Sequence, residues 1–277
     1  IIIVAGGTGT RMQSNIPKQF LEIKGKPIII HTIEKFLEFD EYMHVIVCVH
    51  KDYITDANFM LAEYFPGKDI QIVVGGDTRF DRVVQHLRQP KPWAVLDQFI
   101  DNQAFMVLGS VWQADMDVLI PLINSTEFSF KWVIVPHEIH VDELRKWASA
   151  IQLPTQFSTE SPQSGAQVLI VNEVGYLSQI YRGASFAYIG GAFGAGLHNT
   201  LEASVYGPTV FFGNKNYTKF KEARDLIEFG LAFPIEDTKR LTDKMREIYD
   251  VEDVFVNKQV QARAFVALQA GATMKIM

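Results

Sequence analysis

The sequence predicts an α/β fold of parallel-sheet, Rossmann-like units with helices on both faces, and three observations carry that prediction. Short runs of β-branched and aromatic residues recur along almost all of the 277 residues. Amphipathic stretches of helical length separate them. Two of the runs end in glycine-rich turns, Gly6-Gly7-Thr8-Gly9 and Gly190-Gly191-Ala192-Phe193-Gly194-Ala195-Gly196. Strand–helix alternation with continuous apolar strands is the pattern of parallel sheets buried on both faces.

Taken in order, the apolar runs at 1–5, 44–49, 70–74, 105–108, 132–135, 168–171, 186–189, 209–212 and 231–234 read as strands. Each is short and is bounded by turn-forming or polar residues. Helical periodicity marks 31–38, 52–64, 114–123, 141–151, 175–181, 199–206, 219–229 and 238–248, with a closing helix over 254–268. Two prolines in Gln89-Pro90-Lys91-Pro92 mark a boundary, giving segments 1–90 and 91–277. The polar, proline-containing stretch 152–165 reads as a surface excursion of the second segment.

Composition narrows the function classes. Apolar residues make up 48% and charged residues 21%, the balance of a chain with a sizeable core. The net charge of −6 offers no overall basic field for nucleic acid. Cys48 is the single cysteine, inside Val45-Ile46-Val47-Cys48-Val49, so neither an intrachain disulfide nor a cysteine-based metal site is expected. No apolar run reaches the roughly 18–20 residues that cross a bilayer. The chain opens without a methionine, which predicts residues preceding Ile1 in the full protein. The expected location is cytoplasmic, at the inner face of the inner membrane if the acceptor is a lipid, with contact to the membrane surface only.

The first constellation follows the first strand. Ala5, Gly6, Gly7, Thr8, Gly9 and Arg11 lead to Pro17-Lys18-Gln19-Phe20. Backbone N–H groups in such a loop approach phosphate oxygens without side-chain obstruction, and Arg11 and Lys18 would neutralise them. This string, with Gly25-Lys26-Pro27 after it, resembles the start of the sugar nucleotidyltransferases, 2-C-methyl-D-erythritol 4-phosphate cytidylyltransferase above all. The resemblance implies CTP and Mg²⁺ as ligands, an isoprenoid-pathway substrate, and catalytic roles for Arg11 and Lys18. It runs to about Gly76. The family's His-Asp-x-x-Arg-Pro loop and its later lysine do not follow; Asp97 and Asp101 lie in that region without the context.

The second constellation is Gly190 and Gly191 followed by His198, Asn199 and Glu202. A strand, a glycine turn and a helix starting near Asn199 would seat a phosphate on free backbone N–H groups. Asn199 and Glu202 share one side of the first turn, where a carboxylate can accept both ribose hydroxyls. A glycine turn followed by an acidic helical turn is also common without any ligand. Gly109 and Ser110 end one further strand, and Pro136 and His137 end another. In an open parallel sheet all these strand ends converge on one side. His137-Glu138-Ile139-His140 lacks zinc-motif spacing, so no metal is assigned.

From about Gly76 to the end, these segments resemble the C-terminal half of 3-deoxy-D-manno-octulosonate (Kdo) transferase, which glycosylates a lipid A precursor. The resemblance implies the donor-domain fold of a GT-B glycosyltransferase, CMP-Kdo as donor and no cofactor. It also implies donor-binding roles for Gly109, Ser110, Pro136, His137, Gly190, Gly191, His198, Asn199 and Glu202. The family's acceptor domain, with its catalytic glutamate, has no counterpart in the sequence, so no general base is named. Gly75 to Phe80 is the point of crossover, and the join reads equally as natural, engineered or an artefact of assembly. Three functions follow: a Kdo-transferase-like enzyme, a cytidylyltransferase, and a cytidine-nucleotide-binding module without catalysis.

Overall fold

The computed structural model describes residues 1–6, 16–75, 78–88 and 92–271. The chain divides into two compact units, Ile1–Arg82 with Gln269–Met277, and Val83–Leu268.

In the first unit, β1 (Ile2–Ala5) is followed by a hairpin of β2 (Glu22–Ile23) and β3 (Lys26–Pro27). The hairpin turns on Lys24 and Gly25, both at positive φ (54° and 73°), as a two-residue turn with right-handed strand twist requires. Then come α1 (Ile28–Phe39), β4 (Val45–Val49), α2 (Ile54–Tyr64) and β5 (Ile70–Val74). β1, β4 and β5 form a parallel sheet in that order. Its core joins Val45, Val47 and Val49 to Ile29, Ile30 and Ile33 of α1 and to Ala57 and Leu61 of α2. Cys48 is buried there, and burial pushes its thiol pKa up. α3 (Thr78–Arg88) crosses from the first unit to the second.

The second unit contains α4 (Ala94–Ile100), β6 (Phe105–Val111), α5 (Gln113–Asn124), β7 (Lys131–Pro136) and α6 (Val141–Ala150). β8 (Thr155–Phe157), β9 (Val168–Ile170), α7 (Leu177–Ile180), β10 (Phe186–Ile189) and α8 (Leu201–Ser204) follow. β11 (Thr209–Gly213), α9 (Lys221–Glu228), β12 (Ala232–Ile235), α10 (Thr238–Tyr249) and α11 (Glu252–Gln269) complete it. Seven strands pair in parallel in the order β12-β11-β10-β6-β7-β9-β8.

Both faces of this sheet are covered. Met106, Leu108, Trp132, Ile134, Phe186, Tyr188 and Phe211 share one cluster with Met116 and Leu119 of α5, Leu144 and Trp147 of α6, and Leu241 and Met245 of α10. The alternate positions Val107, Val133, Leu169, Ala187, Val210 and Phe212 are equally buried, and α8 and α9 pack against β11 and β12. Double burial explains why these strands read as unbroken apolar runs. The α/β class with parallel sheets is therefore the fold of the protein.

Two local expectations are corrected. The stretch 152–165 contributes an edge strand, β8, rather than an excursion alone. The helix expected over 199–206 is a single turn, Leu201–Ser204. Among the described residues no helix is long and apolar enough to cross a membrane.

The strand order positions the site. On one side of β6 the sheet extends through β7, β9 and β8; the chain then returns to β10 on the other side of β6 and builds toward β12. The order therefore reverses between β6 and β10. Ligands of open α/β sheets bind at such a switch point, beyond the carboxyl ends of the strands.

Candidate functional site

At the switch point the ends of β6 and β10 touch. Gly190 donates its N–H to Gly109 O at 2.9 Å. A side chain on Gly190 would begin 2.2 Å from Ser110 O, so only glycine allows the two backbones this close. Ser110 has a left-handed backbone (φ 54°) and sits at a register shift between β6 and β7. This bulge re-aims the chain at the rim of the sheet. Gly191, at φ +93°, turns the chain after β10; a Cβ there would meet Gly196 O at 2.3 Å and the His198 ring at 2.9 Å.

A buried carboxylate that the sequence reading did not single out fixes this geometry. Asp115, 1% exposed in the first turn of α5, accepts the N–H of Trp112 at 2.9 Å and that of Gly191 at 3.0 Å on Oδ2. Its Oδ1 accepts the hydroxyl of Tyr188 at 2.9 Å. Burial raises the Asp115 pKa, and the three hydrogen bonds oppose that shift. One side chain thus ties the loop after β6 to the turn after β10.

Three rings gather above it. His137 stacks on His198 with centroids 4.2 Å apart, and Trp112 lies 4.5 Å from His137. The indole N–H of Trp112 donates to His198 Nε2 at 3.2 Å. An accepting Nε2 assigns the proton of the neutral ring to Nδ1. Burial, and secondarily the neighbouring His137, lower the His198 pKa. Pro136 ends β7 and is buried, while His137 is exposed.

Beyond His198, Asn199 donates from Nδ2 to Glu202 Oε1 at 3.0 Å and accepts the N–H of Leu201 on Oδ1 at 3.1 Å. The two side chains therefore lie together, as their spacing implies. The helix-end argument for a phosphate seat fails here. A four-residue helix sums few peptide dipoles, and Asn199 already uses the Leu201 N–H. Beneath this segment, fully buried Tyr181 places its hydroxyl 1.9 Å from where a side chain on Gly109 would begin. Burial drives the Tyr181 pKa up, and the charge of Glu202 adds to it. Gly109 is thus required by packing.

Of the sequence-predicted donor residues, Gly109, Ser110, Pro136, His137, Gly190, Gly191 and His198 border this strand-end cradle, with Asn199 and Glu202 following His198 along the chain. Trp112, Asp115 and Tyr181 were not among them. Asp115 had one readable signal, its place in the first turn of the helix that follows the strand end. The first constellation is tested far less. Ala5 is buried at the end of β1 and Lys18 is exposed. Gly7, Thr8, Gly9 and Arg11 lie outside the described residues. Among the described residues no group of three or more His, Cys, Asp or Glu side chains is arranged to hold a metal.

Fold and cradle together define an α/β unit whose glycine-lined cradle lies at the switch of a parallel sheet. Comparison with known proteins adds particulars to both parts of the chain. Residues 1–96 match the family model of 2-C-methyl-D-erythritol 4-phosphate cytidylyltransferase. The enzyme of that name from Leptospira borgpetersenii is 38% identical over 87 residues, 31% of this chain and 37% of the relative. That from Azobacteroides pseudotrichonymphae is 45% identical over 80 residues, 29% and 36% respectively. The matched part spans little more than a third of these relatives' length. The remainder is similar in fold to the C-terminal CMP-Kdo binding domain of WaaA from Acinetobacter baumannii. That match has a TM-score of 0.54 at 16% identity, covering 68% of this chain and 97% of that domain.

Proposed function

We propose that the unit Val83–Leu268 binds the CMP moiety of a nucleotide-activated sugar, CMP-Kdo by analogy with its structural relative, and serves glycosyl transfer to a lipid A precursor. The observation that supports this reading most is the cradle at the β6–β10 switch point, where Gly190 and Gly191 exclude side chains and His198 borders it. Glu202 uses Oε1 for Asn199, and its Oε2 would accept the ribose hydroxyls. His198 Nδ1–H would face the phosphate, whose charge grows as the bond to the anomeric carbon breaks. The reading assigns no metal to this step, and its partners are a CMP-sugar and a lipid acceptor, not nucleic acid.

Calorimetric titration of CMP in excess EDTA tests it. Binding by the intact protein that Glu202→Ala weakens by about 1–3 kcal/mol supports the reading. Undiminished affinity in the variant removes Glu202 from the site.

A second reading, cytidylyl transfer from CTP at Ala5–Lys18, is supported by the family match over residues 1–96. It requires Mg²⁺-dependent CTP binding that Lys18→Ala weakens while CMP binding in EDTA stays unchanged. Nucleotide binding without turnover on any acceptor would leave the chain a binding module.

A further inference from the structure

We infer that Lys219, with Lys215 over Phe193 of the same turn, supplies the positive charge that holds the donor phosphate at the turn Gly190–Leu197. This rests on the donor reading above and names a residue that reading lacks. A phosphate leaving a sugar gains negative charge, and the histidine bordering the cradle is poorly suited to meet it. His198 accepts the Trp112 N–H on Nε2 and is half-buried against a second imidazole, which favours its neutral form. The charge has to come from elsewhere.

The loop after β11 brings it. Asn216 is hydrogen-bonded to the glycine turn three times: its N–H to Ala192 O at 2.9 Å, its Nδ2 to Gly194 O at 2.5 Å, and its carbonyl from Leu197 N at 3.4 Å. This pairing carries Lys215 and Lys219 onto the turn. Lys219 Nζ lies 3.0 Å from where a side chain on Gly196 would begin, and Gly196 in turn donates its N–H to Gly191 O at 3.1 Å. The position a side chain on Gly191 would take is bordered by both Gly196 O and the His198 ring. The two ammonium groups rest over aromatic rings, Lys215 over Phe193 at 5.7 Å and Lys219 over Phe220 at 5.2 Å.

Neither lysine forms an ion pair with a described residue, whereas nearby Lys221 is held by Asp225 at 2.5 Å. Both ammonium groups thus stand by the glycine turn without a carboxylate partner among the described residues, and an anion bound at the turn would supply the missing countercharge. A lysine ammonium acts on such a phosphate as a compact point charge.

The test is calorimetry on the full chain with CMP and with cytidine, for the unaltered protein, Lys219→Met, Lys219→Arg and Glu202→Ala. The expected result is CMP binding weakened about tenfold or more in Lys219→Met, cytidine binding unchanged, and partial recovery in Lys219→Arg. CMP affinity should also fall less steeply with added salt in Lys219→Met. If Lys219→Met binds CMP as the unaltered protein does while Glu202→Ala still loses it, the donor site stands and the lysine assignment is overturned. If the unaltered protein binds neither CMP nor cytidine, the donor reading falls and this inference with it.

Discussion

Asp115 and Gly191 are joined by a hydrogen bond of 3.0 Å across 76 residues of sequence, and the ends of β6 and β10 hold their positions through it. Removing the carboxylate strands three donors in the interior: two backbone N–H groups and the Tyr188 hydroxyl. Asp115→Ala should therefore destabilise the protein by about 3 kcal/mol or more. Asp115→Asn keeps an acceptor for the two N–H groups, and its amide can donate to Tyr188, so it should cost less than half as much. Urea denaturation of both variants checks the order. Equal losses would mean that the amide cannot replace the carboxylate, so that its charge rather than its acceptor positions holds the two strand ends.

Gly109 and Tyr181 compete for one volume. Gly109→Ala places a methyl 1.9 Å from the Tyr181 hydroxyl and 3.0 Å from Leu177. Overpacking of this kind costs about 1–3 kcal/mol. In a Tyr181→Phe background the hydroxyl is gone but the ring carbon at 2.9 Å remains, so the penalty should shrink without vanishing. A double-mutant cycle measured by thermal unfolding reads the coupling directly, and strict additivity would contradict the packing described here.

His198 makes stability depend on pH. Its pKa in the fold is lowered from the ordinary 6.5, chiefly by burial. A depressed folded value contributes stability that is complete above the unfolded pKa. It is lost as pH falls through the window between the unfolded and folded values. The protein should therefore lose stability as pH drops below about 6.5, and His198→Gln should flatten that part of the profile. Melting temperatures across the mildly acidic range decide it, and superimposable profiles would exclude His198 as the source.

The sheet was legible in the sequence where burial is two-sided. The runs at 105–108, 132–135, 186–189 and 209–212 fall within or on β6, β7, β10 and β11, because strands covered on both faces have no polar alternation to confuse the reading. β8 was missed because three residues, Thr155 to Phe157, carry too little pattern. α3 and α4 were missed as well. One is among the more polar stretches of the chain, and the other is only seven residues long after a proline-rich boundary. In the site, residue types at strand ends gave the glycines and His198. Asp115 escaped because its meaning lies in partners 73 and 76 positions away, which no local spacing encodes. Lys219 escaped because an exposed lysine acquires significance only when the chain lays it on a glycine turn.

Trp112 gives the cradle an optical handle. Among the four tryptophans, Trp132 and Trp147 are buried and Trp93 stacks on Tyr176 at 4.4 Å. Only the Trp112 indole hydrogen-bonds to a histidine among the described residues, and it also lies against a second. Protonated imidazole quenches indole emission, whereas the neutral ring does so weakly. The intrinsic fluorescence of the protein therefore reports on the charge state of its own cradle, and an anion arriving beside His198 announces itself as a change in light rather than in heat.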